Sequence, residues 1–216
     1  MTVAFPQAGP VTLRTHLADY AVTRALKSGE IKSDLVHFDF AGPKNAYEGF
    51  KPMVREAAFT AAELAIVTYL QARVYGKPLV LLPAVVMGRF QHQCIGYNTK
   101  AGTLSPETIA GRRFGVRSYT QTTGTWMRAI LQHEHGVDPF KVTWVTFEDP
   151  HLAEYREPPH VERAPAGVKI GDMLLDGSLD GAIVPELPKD PRIRPLFPDP
   201  DAAARAWADK IGRAHV

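Results

Sequence analysis

Short apolar runs alternate with amphipathic stretches along most of the chain, the pattern expected of βαβ units. In the first half this predicts a strand over 11–17, a helix over 20–27 capped by Asp19 and stopped by Gly29, and a strand over 35–40. A helix over 47–57 carries an internal objection in Pro52. A short buried strand over 62–67 and a helix over 69–75 follow. The strongly apolar run 79–85 reads as a central parallel strand. A second module then opens. Residues 94–97 are expected to form the strand that leaves the first lobe. Ser105 and Pro106 open a helical turn. Strands are expected over 113–117, 142–147 and 182–184, and helices over 120–135 (closed by Gly136), 166–175 (ended by Gly177) and 199–209. The proline-rich stretch 149–165 reads as a loop.

This alternation predicts an α/β protein of two βαβ lobes with a ligand cleft between them. The expected division is a first, incomplete lobe over 1–97, a second lobe over 98–184, and the start of a returning segment over 185–209. Little chain follows to finish the first lobe, so a C-terminal part is expected to be missing. Residues 210–216 can be encoded by a string containing the start of a common short-read sequencing adapter, and are expected to be a non-native tail.

Composition narrows the function. A hydrophobic share of 45% and a charged share of 22% suit a globular protein with a real core. The net charge is +2, with no Lys/Arg run to track a phosphate backbone, so nucleic acid is not an expected partner. No stretch approaches the ~20 apolar residues of a membrane span. The N-terminus lacks the basic and apolar regions of a secretory signal. A cytoplasmic location is therefore expected, or a periplasmic one if a signal precedes this start. The single cysteine, Cys94, excludes an intrachain disulfide and reads as a small buried hydrophobe. His133 and His135 lie two apart on a helix, not at the i, i+4 spacing of a zinc helix, and no Cys/His cluster exists elsewhere. No metal and no organic cofactor is expected.

The richest segment for chemistry runs from Gly115 to Trp126, at a strand-to-helix junction. A helix start exposes unpaired amides and carries about half a positive charge. Arg117 adds a cation, and Ser118, Thr120, Thr122, Thr123 and Thr125 add hydroxyls around Gln121. Together they suit a carboxylate. The alternative is an ordinary cap whose hydroxyls bond local backbone. After the apolar run 79–85, Arg89 can pair with an acidic ligand and His92 can move a proton, with Gln91 and Gln93 as hydrogen-bonding partners. The same stretch also reads as a polar crossover loop. Glu63 lies beside an apolar run, where a carboxylate must pair, protonate or face a cleft. Asp19 and Tyr20 either line the cleft or cap a helix, and Glu148, Asp149 and His151 either face the same opening or sit in a solvated loop.

Several of these stretches resemble the 4,5-dihydroxyphthalate decarboxylase group. They are Leu17-Ala18-Asp19-Tyr20 with Arg24-Ala25-Leu26 and Gly29, residues 50–70, the Arg89–His92 turn, and residues 115–126 followed by Leu131-Gln132-His133-Glu134-His135-Gly136-Val137. That group looks like the type 2 periplasmic solute-binding proteins in fold. The resemblance implies a bilobed receptor fold around a small, aromatic carboxylate. It further implies a carboxy-lyase without organic cofactor, in which Arg117 and the hydroxyl-rich turn fix one carboxylate while Glu63 or His92 orients a ring hydroxyl and donates a proton. The alternative is a non-catalytic substrate-binding protein feeding an ABC-type transporter permease, or a ligand sensor.

Overall fold

Parallel strands bury both faces and need helical crossovers, and the chain builds two sheets on that plan. The computed structural model describes residues 9–211. The chain divides between Met87 and Gly88 into two compact units, each with its own sheet.

The first unit opens with β1 (Val11–His16), a 3-10 turn at Ala21–Thr23 and the short α1 (Arg24–Lys27). β2 (Val36–Phe40), α2 (Ala46–Glu56), β3 (Ala61–Ala62) and α3 (Ile66–Val74) follow. The sheet order is β2-β1-β3, all parallel, with Leu13 opposite Phe38 and Thr15 opposite Ala61. The expected helix over 20–27 is thus a 3-10 turn running into one α turn. Its cap is Tyr20 rather than Asp19. Pro52 lies inside α2, and Ala57, at φ 50, closes that helix in the left-handed conformation. Phe50, Val54, Phe59 and Ala72 are buried, as is His16, whose ring stacks on Phe59 at 5.0 Å. The His16 ring nitrogens face the Ala41 and Ala46 carbonyl oxygens at 3.4 and 3.2 Å. Gly49 lets α2 sit directly on that ring, since a Cβ there would fall 2.1 Å from its Cδ2.

Two expectations for this unit are corrected. Residues 62–67 are not one strand: pairing with β1 ends at Ala62, and a new helix begins at Ile66. The run 79–85 is in neither sheet. Pro83 removes a ladder donor from its middle, and a strand forms only where a neighbour offers its backbone. Val80 and Val85 are both 87% exposed, and Leu81, Leu82 and Met87 are also exposed.

The second unit contains β4 (Ile95–Asn98), β5 (Arg113–Val116), α4 (Thr122–His135), β6 (Thr143–Thr146) and β7 (Val161–Arg163). It continues through α5 (Ile170–Asp176), β8 (Gly181–Ile183), β9 (Ile193–Pro195) and α6 (Pro200–Ile211). The sheet order is β7-β6-β5-β8-β4-β9. β7, β6, β5 and β8 run parallel, and β4 lies antiparallel to both its neighbours. The strand expected at 94–97 is therefore β4, inside the second sheet. α5 begins at Ile170 rather than 166, because Gly167 turns left-handed at φ 80. Phe114, Trp144, Met127, Ile95 and Leu131 form the centre of the core, all under 2% exposed. α6 carries Lys210 and Ile211; the rest of the expected tail lies outside the described residues. Among the described residues, no helix is long and apolar enough to cross a membrane.

Candidate functional site

In open α/β sheets, ligands gather beyond the carboxyl ends of the parallel strands. In the second unit β5 ends at Val116 and β6 at Thr146, so residues 117–122 and Glu148 lie at that edge. The β5 to α4 turn is held by backbone. The Gln121 amide donates to the Ser118 carbonyl at 3.0 Å, and the amides of Phe147 and Glu148 both donate to the Arg117 carbonyl, at 3.1 and 2.7 Å. Gln121 is the N-cap residue in extended conformation, and its side chain makes no capping bond. The first amides of α4 are therefore left for something else to satisfy.

The predicted side chains divide by what they already bond. Arg117 pairs with Glu148, Nε to Oε1 at 3.1 Å. Ser118 and Thr120 are buried with their hydroxyls 3.4 Å apart. The Thr125 hydroxyl accepts from Arg128 at 3.3 Å. The Thr122 hydroxyl is buried and has no hydrogen-bond partner among the described residues, and Thr123 is half-buried beside it. Gly124 is required here: a Cβ would meet Val116 Cγ2 at 2.8 Å and Arg128 Nη1 at 3.3 Å.

Arg128 is the residue that sequence reasoning missed. It is the seventh residue of α4, 9% exposed. Its guanidinium sits 3.9 Å over the Tyr119 ring and 5.6 Å from the Trp144 ring. Nη2 donates to the Tyr119 carbonyl at 2.6 Å, while Nη1 is buried without a hydrogen-bond partner among the described residues. Burial lowers its pKa, opposed only by the nearby Tyr119 and Tyr155. The signal was present in the spacing. Gly124, Met127, Arg128 and Leu131 stand at i, i+3, i+4 and i+7, which puts the arginine on the apolar face.

His92 lies at the same edge, because β4 is antiparallel and its start adjoins the end of β8, with Ile95 opposite Ile183. The imidazole is 2% exposed, edge-on to Phe197 at 5.0 Å and 5.8 Å from Trp207 on α6. Burial lowers its pKa, with a smaller contribution from His135, so the neutral ring is favoured. Arg89 is exposed, and its carbonyl accepts from the Gln91 side chain at 2.8 Å. Cys94 is fully buried, and burial raises its thiol pKa.

In the first unit, Glu63 follows β3 and is anchored by backbone, its amide donating to the His16 carbonyl at 2.9 Å. The Tyr20 hydroxyl donates to Glu63 Oε1 at 2.6 Å, and the Ala18 amide to Oε2 at 3.2 Å. Both carboxylate oxygens are thus engaged. Asp19, expected as a cap or ligand contact, is exposed and ion-paired with Lys27, which lowers its pKa. Partial burial first, and the adjacent Glu63 second, raise the Tyr20 phenol well above its ordinary value. A phenol raised in the folded state contributes stability below its unfolded value of ~10 that is lost as pH rises through the folded value. The first unit is therefore expected to weaken above about pH 10. Glu63→Gln is expected to bring the Tyr20 phenolate into view at lower pH in ultraviolet difference titration. An unmoved titration would show that Glu63 does not govern the phenol.

No family model matches the chain. It is 30% identical over 209 residues to the 4,5-dihydroxyphthalate decarboxylase of Comamonas testosteroni, covering 90% of this chain and 62% of that protein. It is 29% identical over 212 residues to the 4,5-dihydroxyphthalate decarboxylase of Pseudomonas putida, covering 91% of this chain and 81% of that protein. The resemblance expected from the residues is borne out over nine tenths of the chain, which spans just under two thirds of the length of the Comamonas relative.

Proposed function

Taking the similarity to 4,5-dihydroxyphthalate decarboxylases as its premise, we propose that the chain is the anion-binding part of a decarboxylase-like carboxy-lyase acting on a hydroxylated aromatic carboxylate. The observation that carries the reading is the buried, unpartnered hydroxyl of Thr122 at an uncapped helix start. Unsatisfied donors in a buried turn call for an acceptor, and a carboxylate is the acceptor that the helix terminus favours. Ser118, Thr120, Gln121, Thr122 and Thr123 hold that group in this reading. Arg117, already paired with Glu148, adds positive charge once the pair opens.

The reaction replaces a ring carboxylate by hydrogen. The ring carbon takes a proton, the bond to the carboxylate breaks with its electrons retained by the ring, and carbon dioxide leaves. A hydroxyl para to that carbon supplies electron density, so a residue that accepts its proton assists the step. Glu63, with Tyr20, is proposed for that hydroxyl, and His92 or Glu63 for the proton delivered to carbon. Positioning supplies the remaining rate.

The test is incubation of the 216-residue chain with 4,5-dihydroxyphthalate, following carbon dioxide and the monocarboxylate product. Release above the uncatalysed background is expected, and reduced by Glu63→Gln. Background release from a folded chain that binds the compound would retire catalysis. It would favour a solute-binding protein that holds its ligand unchanged, for an ABC-type permease or as a sensor. Two observations support that second reading: both Glu63 oxygens already accept hydrogen bonds, and His92 packs against the Phe197 and Trp207 rings.

A further inference from the structure

A buried cation needs an anion. Arg128 is nine-tenths buried, yet no carboxylate among the described residues pairs with it. Nη2 is spent on the Tyr119 carbonyl and the Thr125 hydroxyl. The two aromatic rings flank the plane and take no hydrogen bond from Nη1. A buried guanidinium left in this state is costly, and the cost is removed when a counter-ion arrives.

The free nitrogen has a direction. It lies 3.3 Å from the point a Cβ on Gly124 would occupy, over the first turn of α4. The unpaired Thr122 hydroxyl stands on the same turn. We propose that Arg128 Nη1 and Thr122 Oγ1 are the paired donors for one carboxylate of the ligand at the start of α4, with Arg128 rather than Arg117 as its principal counter-charge. Arg117 is already neutralised by Glu148, whereas Arg128 is not neutralised by any described side chain. One guanidinium nitrogen and one hydroxyl, both unpaired among the described residues, supply a donor for each oxygen of a planar carboxylate. A phosphate dianion brings a second charge that this single guanidinium does not balance. Gly124 is the device that admits the nitrogen. The proposal rests on the anion-binding part of the reading above and makes no use of turnover.

Calorimetry on the 216-residue chain tests it with three probes: phthalate, which has two carboxylates and no ring hydroxyls; catechol, which has the hydroxyls and no carboxylate; and inorganic phosphate. Phthalate is expected to bind, and the other two to bind at least about tenfold more weakly, the scale of one charge-assisted bond. Arg128→Met is expected to weaken phthalate about tenfold or more, and Thr122→Val by about two- to tenfold. The unliganded Arg128→Met chain is expected to melt no lower than the parent, because a buried unpaired charge has been removed. A role confined to packing on Tyr119 and Trp144 predicts the reverse, a lower melting temperature with phthalate affinity intact. If Arg128→Met does not fold, Thr122→Val decides alone. Phthalate affinity within twofold of the parent in the folded variants, or no phthalate binding by the parent, overturns the assignment. Arg128-dependent phthalate binding without carbon dioxide release would leave this assignment standing and remove the decarboxylase. Release with Arg128-independent binding would do the opposite.

Discussion

Trp144→Ala is expected to cost the second unit about 3–5 kcal/mol, the range for deleting a fully buried tryptophan. The side chain is fully buried and packs edge-on against Phe114 at 6.2 Å. Its Nε1 donates to the Pro139 carbonyl at 2.9 Å, a bond that alanine removes, leaving that oxygen only the longer one from the Val142 amide at 3.4 Å. Trp144 also forms one wall beside the Arg128 guanidinium. The substitution is therefore expected to loosen the start of α4 as well as the core. All three tryptophans lie beyond residue 88, so their fluorescence in a urea titration reports the second unit, and Trp126 and Trp207 remain as probes in the variant. A midpoint unchanged from the parent would mean that this core is not held together as described.

Gly181→Ala is expected to destabilise the same unit by about 3 kcal/mol, at the upper end for overpacking a tight core. A methyl group there would fall 2.3 Å from Phe114 Cε1 and 2.6 Å from the Gly96 carbonyl oxygen. The first contact is with a ring that has no room to turn, since Phe114 is fully buried. The second is with backbone, and β4 cannot retreat without opening its pairing with β8, where Gly181 stands opposite Tyr97. β8 also pairs with β5, the strand that leads into the turn proposed to bind the anion, so phthalate affinity is expected to fall together with stability. Circular dichroism on heating checks the first effect, and an undiminished melting temperature would contradict it.

The parts of this fold that were legible in the sequence are those whose signal is local. The turn from β5 into α4 was legible because hydroxyl residues and a glycine crowd a strand-to-helix step. The short strands β7 and β9 were not, because both lie among prolines, β7 between Pro159 and Pro165 and β9 between Pro191 and Pro198, whereas the equally short β8 is an apolar run. They exist because Trp144–Thr146 and Gly96–Asn98 offer them backbone partners. Residues 79–85 misled for the complementary reason: their composition suits a strand, but strand identity belongs to a pair. Arg117 was correctly placed at the turn, while its partner Glu148 lies 31 positions further on and is brought near only by the β5 to β6 pairing. Arg128 went unread because a charge inside a helix is ordinarily taken as solvent-facing. Its spacing from Gly124 and Leu131 was the stronger indication.

The outward-facing valines and leucines after α3 bear on how the molecule behaves in bulk. A net charge of +2 gives neighbouring chains little mutual repulsion at neutral pH. Val80, Leu82 and Val85 meanwhile offer water an oily ribbon whose removal from solvent is favourable wherever it finds cover. Added salt screens the small repulsion and strengthens the attraction, so self-association is expected to rise with ionic strength.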